Sequence, residues 1–258
     1  MDAHLCDMPM VARLVLWHPD KSIPILPETT EWQTCTPYCA LVGVLNYITV
    51  ATHPDIIFAI GHLSSFMDCY ILDHWSATLR VLHYLKGTRT MGLTLGGSNP
   101  LRLVGYSDSN YANCPKTSRS ISGYCFNLGS GAISWMFKKQ QVVADSSCYA
   151  EYIALHDSSH ELAFLQALLS GLSFTPLTAM PLLCNNDAAW RLAEDHTGHP
   201  NVKHIHVKFH YICKMVEEGS VALTQVCSAD NTMDILTKPL ACSDFQCLRH
   251  YLEIRALP

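Results

Sequence analysis

The sequence predicts an α/β fold, a mixed five-stranded sheet flanked by helices and preceded by a small helical segment. Three observations predict it. Apolar residues recur with a helical period from Tyr38 to Lys86. The run Gly96-Gly97-Ser98-Asn99-Pro100 then interrupts the pattern as a linker. Beyond it, strand-prone and helical stretches alternate in the order β-β-β-α-β-α-α-β-α, which describes a sheet with helices on its faces. A chain of 258 residues with 49% hydrophobic content has enough apolar mass for one large core or two modest ones.

In chain order, residues 1–37 read as an irregular leader, because prolines 9, 19, 24, 27 and 37 punctuate them. Residues 38–98 read as helical. Leu41, Leu45 and Ile48 mark one apolar face. Pro54 suits the first turn of a second helix, with Ile56, Ile60, Leu63 and Met67 inward. A third helix, capped by Asp73 and stopped by Gly87, sets Trp75, Leu79, Leu82 and Leu85 on its buried side. From residue 101 to 258 a second domain is expected. Its strands are Leu101 to Tyr106, Ser122 to Leu128, and Ala132 onward to Val143, the last two joined at Gly129-Ser130-Gly131. A long helix starts at the Asp145/Ser146 cap and closes at Gly171. Pro181 to Asn185 is a short strand, followed by helices from Ala188 and from about Lys203, the latter with Ile205, Phe209, Ile212 and Val216 inward. Val221 to Val226 is the fifth strand, and helical residues finish the chain.

Composition excludes several classes. A formal charge of −5 gives no global attraction to nucleic acid, so any such binding needs a local basic patch. The twelve cysteines include no C-x-x-C pair and are scattered, which points to reduced thiols and a cytoplasmic or nuclear setting. The residues after Met1-Asp2-Ala3-His4 do not form a secretory leader, and the apolar stretch from Ala40 to Val50 falls short of the ~20 residues that span a bilayer.

Four acidic or near-acidic positions fall at element ends in this order: Asp108, Glu151, Asn185 and Asp234. A cluster drawn from different elements is how a two-metal phosphodiester site is built, with two ions ~3.5–4 Å apart on the attacking and leaving oxygens. Magnesium takes hard oxygen ligands in octahedral geometry, and several carboxylates are needed to offset the repulsion of two dications.

The residues around these positions resemble a known family. Tyr106-Ser107-Asp108-Ser109, the run Ser118-Arg119-Ser120-Ile121-Ser122-Gly123-Tyr124, Ile133-Ser134-Trp135 with Lys138-Lys139-Gln140, Ser146-Ser147-Cys148-Tyr149-Ala150-Glu151-Tyr152, Cys184-Asn185-Asn186-Asp187, Lys203-His204-Ile205-His206 with His210, and Asp234-Ile235-Leu236-Thr237-Lys238-Pro239-Leu240 follow one another as in the ribonuclease H domain of copia-type LTR retrotransposon polyproteins. Upstream, Tyr38 to Tyr47, Thr52-His53-Pro54-Asp55-Ile56 and His74 to Thr88 resemble the end of the same polyprotein's reverse transcriptase. The resemblance implies a ribonuclease H-like fold over 101–258, preceded by a connection or thumb remnant. It implies a magnesium-dependent endonuclease acting on RNA in RNA–DNA hybrids, recognised through backbone shape and 2′-hydroxyls. Asp108, Glu151 and Asp234 are then the metal ligands. The paired-aspartate polymerase motif is missing, so a complete reverse transcriptase is not expected.

The departures from the family carry their own expectation. The third catalytic Asp is here Asn185, whose amide oxygen brings no charge to a site that holds two dications, so hydrolysis is expected to be impaired. Asp187, one pleat repeat further on, is the candidate substitute ligand. Tyr149 and His206 replace further acidic residues. Lys138, Lys139, Lys203, Lys208 and Lys214 form the candidate phosphate-tracking surface, against the plainer reading of a solvated face. Of His204, His206 and His210, the last two are i and i+4 neighbours on one helix face, but no third zinc ligand at metal spacing accompanies them. The alternatives to a nuclease are a non-catalytic nucleic-acid-binding or protein-interaction domain and a decayed transposon fragment. An intact polymerase from a related element is a candidate partner.

Overall fold

A computed structural model describes residues 5–12, 14, 16–19, 27–96, 100–174, 179–186, 206–227 and 231–257, with the side chains of 27–30 and 206–210 outside that description. The chain divides into two compact units, one made of Met1–Leu93 with Lys238–Pro258 and the other of Thr94–Thr237.

The first unit begins with α1 (Pro27–Cys35), α2 (Tyr38–Ala51), a 3-10 turn at Pro54–Ile56, α3 (Ile57–Ser64) and α4 (Leu72–Gly87). The first of these corrects the expectation of an irregular leader through residue 37. Pro27 sits at the helix start, where its missing N–H costs no intrahelical bond. Two other expectations shift. The helix after Pro54 ends at Ser64, so Met67 lies in a turn and is exposed. In α4 the buried face is His74, Ala77, Thr78, Val81 and Tyr84, and Trp75, Leu79, Leu82 and Leu85 are only half-buried. Hydrophobic periodicity misses this face because several of its members are polar groups held by hydrogen bonds. His74 Nδ1 accepts the Ile71 N–H at 2.9 Å, Thr78 Oγ1 donates to the His74 carbonyl at 2.9 Å, and Tyr84 donates to Asp55 Oδ2 at 2.5 Å.

The C-terminal segment belongs to this unit, where the sequence assigned it to the second domain. β1 (Met91–Leu93) pairs antiparallel with β7 (Ile254–Ala256). The final helix, Cys242–Tyr251, sets Phe245 edge-on to Tyr84 at 5.7 Å, and Arg249 Nη1 donates to the Tyr84 hydroxyl at 3.1 Å. Two three-residue strands and one polar triad, buried Asp55 and Tyr84 with half-buried Arg249, thus decide which unit residues 238–258 join. Such short strands carry too little periodicity to be read in advance.

The second unit has the α/β architecture implied by the motifs. Strands β2 (Leu103–Asn110), β3 (Ile121–Leu128), β4 (Gly131–Lys139), β5 (Met180–Cys184) and β6 (Val221–Gln225) form one sheet in the order β4-β3-β2-β5-β6. The β2, β3 and β4 neighbours are antiparallel, and β5 runs parallel to both β2 and β6. The β3–β4 hairpin turns through Gly129, whose φ of +67° suits a residue without a Cβ. The long helix α5 (Ser147–Gly171) starts where Ser146 Oγ accepts the Tyr149 N–H at 3.1 Å. It packs Tyr152, Leu155, Leu162, Leu165 and Leu169 against Phe126, Leu182 and Ile212, and burying each such side chain contributes about 1.5–3 kcal/mol. Helix α6 (His206–Glu217) precedes β6, and the four-residue α7 (Asp234–Thr237) closes the unit, so the final helix is α8. β2 extends four residues beyond Tyr106, which puts Asp108 inside the strand. The helix expected from Ala188 lies outside the described residues.

Candidate functional site

Strand register builds the site. In the antiparallel ladder Asp108 stands opposite Gly123 of β3. In the parallel ladder Gly105 pairs with Leu182 and Tyr106 with Leu183, so the same register continued by two residues brings Asp108 level with Asn185. The central strand therefore offers Asp108 one neighbour with no side chain and one with an amide.

Both neighbours are used. Asp108 is fully buried. Asn185 Nδ2 donates to its Oδ1 at 3.3 Å, and Asn231 Nδ2 reaches the same oxygen at 3.5 Å, at the outer limit of a hydrogen bond. Thr237 Oγ1 donates to Oδ2 in a short bond. Thr237 occupies the space over Gly123: a Cβ at that glycine would lie 2.6 Å from Thr237 Cγ2. Asn110 Nδ2 donates to the Thr237 carbonyl at 2.8 Å, so β2 holds the last residue of α7 at two points.

Glu151 is buried in the first turns of α5. Gln140, itself buried, anchors this end of the helix: its Nε2 lies 2.9 Å from both Ser122 Oγ and the Ala150 carbonyl. Burial pushes the Cys184 thiol up to about 12, with the Glu151 charge adding to the rise, and the same two causes raise Cys148. The charge of Glu151 thus acts on the last residue of β5, Cys184, which precedes Asn185 in the chain. Asp234 is half-buried at the start of α7, its N–H 3.3 Å from the Asn231 carbonyl.

The four catalytic positions expected from sequence thus fall on β2, α5, the end of β5 and α7. Asn185 is joined to Asp108 by a direct hydrogen bond, and Asp187 lies outside the described residues. Sequence reasoning missed Asn231, Thr237 and Gln140. The last two sit inside matched motifs, and the signal for Thr237 was Gly123, a gap beside a strand aspartate that another side chain must fill.

The donor set fits two magnesium ions poorly. Among the described residues, Asp108, Glu151 and Asp234 do not bring three ligand atoms close enough to share a single ion. Both Asp108 oxygens already accept bonds from neutral donors, which a cation would have to displace.

Of the proposed basic surface, Lys138 is exposed at the end of β4. Lys139 is half-buried and engaged with Cys114: burial pushes that thiol up, but hydrogen bonds from Thr117 and Lys139 outweigh it and hold it at about 7. Lys214 is exposed and pairs with Glu218 at 3.6 Å. Lys208 lies on α6, but its side chain and the whole of Lys203 are outside the described residues, as are the side chains of His204, His206 and His210.

Known proteins share much of this chain's sequence. The chain is 36% identical over 226 residues to the retrovirus-related Pol polyprotein from transposon TNT 1-94 of Nicotiana tabacum, covering 88% of this chain and 17% of that polyprotein. It is 35% identical over 233 residues to the Pol polyprotein from transposon RE2 of Arabidopsis thaliana, covering 90% and 16%. The chain belongs to the retrovirus-related Pol family of copia-type transposons. It spans about a sixth of the length of these Pol relatives. A third relative, secreted RxLR effector protein 161 of Plasmopara viticola, is 43% identical over 129 residues, 50% of this chain and 91% of the effector. No protein-family model matches. Among solved structures, the N-terminal ribonuclease H domain of a Mycobacterium tuberculosis protein aligns with TM-score 0.38 and 13% identity over 58% of this chain and 97% of that one. A foamy viral protease-reverse transcriptase aligns with TM-score 0.43 and 12% identity over 80% and 42%. The second unit has the α/β fold, a mixed five-stranded sheet flanked by helices, that the sequence implied. Among the described residues no helix is long and apolar enough to cross a membrane.

Proposed function

We propose that this chain descends from a magnesium-dependent endonuclease that cleaves RNA in RNA–DNA hybrids, and that this copy is strongly impaired in that reaction. The observation that carries the reading is the neutral ring on Asp108. Asn185, Asn231 and Thr237 donate to a buried carboxylate at the position where the family motif sets a metal ligand. In the ancestral site Asp108, Glu151, Asp234 and an Asp in place of Asn185 hold the ions. With three carboxylates instead of four, the site offsets less of the repulsion between two dications. A hybrid or another nucleic acid is the partner this reading implies, with Lys138 its best-placed phosphate contact. An intact polymerase of a related element would supply the missing synthesis.

The test is cleavage of an end-labelled RNA–DNA hybrid by the purified chain in magnesium and then manganese, beside Asn185→Asp. The variant is expected to cut at least about a hundredfold faster than the parent, equivalent to about 2.7 kcal/mol of barrier. Equal rates would overturn the impairment. Parent cleavage that disappears in Asp187→Ala would make Asp187 the substitute ligand. If both proteins are folded and neither cuts, the loss extends beyond Asn185 and the non-catalytic binding reading replaces this one.

A further inference from the structure

The structure assigns a second, unrelated metal site to the helical unit: we propose that His18, Asp68 and Cys69 bind one zinc ion. After α3 ends at Ser64 the chain passes through successive turns, with the Ser65, Phe66 and Cys69 N–H groups bonded to the carbonyls of His62, Leu63 and Phe66. These turns present Asp68 and Cys69 side by side. His18 comes from a distant part of the sequence and is held by Phe66, its ring centroid 4.7 Å from the phenyl ring. Phe66 is buried and stacked on His74 at 4.0 Å, so the surface that orients His18 is part of the core.

The three ligand atoms, one imidazole nitrogen, one thiol sulfur and one carboxylate oxygen, lie within 4.8 Å of one another. His18 Nδ1 is 3.1 Å from Cys69 Sγ. Ligands on a tetrahedral zinc, bound at about 2.0–2.3 Å, are separated by about 3.3–3.6 Å. Closing the group onto an ion therefore needs displacements of roughly 1 Å, with the His18–Cys69 pair opening slightly. Asp68 is exposed, and His18 and Cys69 are half-buried, so the ion has an approach from solvent. Nitrogen, sulfur and a single carboxylate select zinc over magnesium or calcium, which take all-oxygen shells. The fourth position is left for water. On binding, zinc takes the place of the proton on the Cys69 sulfur, which leaves as one proton per ion. The result is a clip between residue 18 and the turn at 65–69.

Titration of the full chain with cobalt(II), then zinc, tests this. One equivalent of cobalt is expected to give thiolate-to-metal charge-transfer absorption, which zinc quenches. Cys69→Ser is expected to abolish the band and Cys39→Ser to preserve it. His18→Ala and Asp68→Asn are expected to weaken zinc binding about tenfold or more. Asp68 is exposed, so its amide variant keeps the fold and reads binding alone. Absence of the band in the parent, its survival in Cys69→Ser, or unchanged zinc affinity in Asp68→Asn would overturn the site.

Discussion

Gly123 is the residue whose replacement tests the construction of the Asp108 site most directly. A Cβ there lies 2.6 Å from Thr237 Cγ2, while its next neighbours, the Met136 carbonyl and Leu236 Cβ, are at the ordinary distances of 3.5 and 3.7 Å. Carbon atoms at contact rest about 3.5–4.0 Å apart, so Gly123→Ala forces roughly 1 Å of movement on one methyl group. Overpacking of this kind costs about 1–3 kcal/mol. If Thr237 retreats it also withdraws its hydroxyl from the buried Asp108 carboxylate, and a hydrogen bond to a charged group contributes about 1.5–3 kcal/mol. The two terms overlap, so the expected loss is about 2–4 kcal/mol in urea unfolding. Thr237→Ser supplies the control, because it removes the clashing methyl and keeps the donor. Alone it costs about 1 kcal/mol of lost burial. In combination it should recover most of the Gly123→Ala loss, giving a coupling of at least about 1 kcal/mol. Additive losses in the double variant would refute the reasoning, since they would mean that Gly123 does not make room for Thr237.

Four further outcomes follow from other parts of the chain. Tyr84→Phe removes the hydroxyl that donates to buried Asp55 and accepts from Arg249, and should cost about 1.5–3 kcal/mol in thermal or urea unfolding. Burial raises the Asp55 carboxyl above the ordinary range, so its contribution to stability is full below the unfolded-state value and falls as pH rises through the folded one; Asp55→Asn should flatten that part of the stability profile. Gln140→Leu leaves Ser122 Oγ and the Ala150 carbonyl without its amide donor and should destabilise the second unit by about 1–3 kcal/mol; an unchanged urea midpoint would mean that the amide does not hold α5. Cys125 and Cys184 are both raised to about 12, Cys125 by burial and Cys184 by burial and then the Glu151 charge, so at pH 8 a thiol reagent should label exposed Cys35 and Cys39 and leave these two intact until unfolding. The stability tied to these two thiols is full below the unfolded-thiol range and is lost as pH rises toward about 12.

The second unit was legible in sequence because its information is local and ordered. Ser146 announced α5, Gly129 announced the hairpin, and the runs from Ser122 and Pro181 had strand texture, each within one residue of the observed strand start. The Asp108–Asn185 pairing was carried by two motifs far apart in sequence. Their contact is a consequence of parallel register, which no local pattern specifies. Asn231 was illegible for a different reason: it precedes its motif, and an asparagine before a short helix ordinarily reads as a cap. It does act partly as one, its Oδ1 accepting the Met233 N–H at 3.2 Å while Nδ2 turns to Asp108. In the first unit the inward face of α4 escaped periodicity because its polar residues are buried in mutual hydrogen bonds, which hydropathy scores as solvent-facing.

On the proposed reading, an amide in place of a carboxylate at Asn185 changes two quantities at once. A carboxylate at this position, about 4 Å from Asp108, would meet a repulsion of about 4 kcal/mol at an effective dielectric near 20, relieved by a bound cation. With an amide there, the neighbour becomes a donor at 3.3 Å and the repulsion becomes a hydrogen bond. On that reading the metal-free state is stabilised by the same substitution that removes a ligand. Asn231 and Thr237 add to this, because each donor satisfied by Asp108 is one that an incoming ion must release. Asn185→Asp reverses both signs together: it should lower the stability of the metal-free chain and raise its affinity for magnesium. Measured side by side, unfolding without magnesium and magnesium binding should therefore move in opposite directions. A variant that binds magnesium no better while losing stability would show that charge repulsion alone, without a recovered site, accounts for the change.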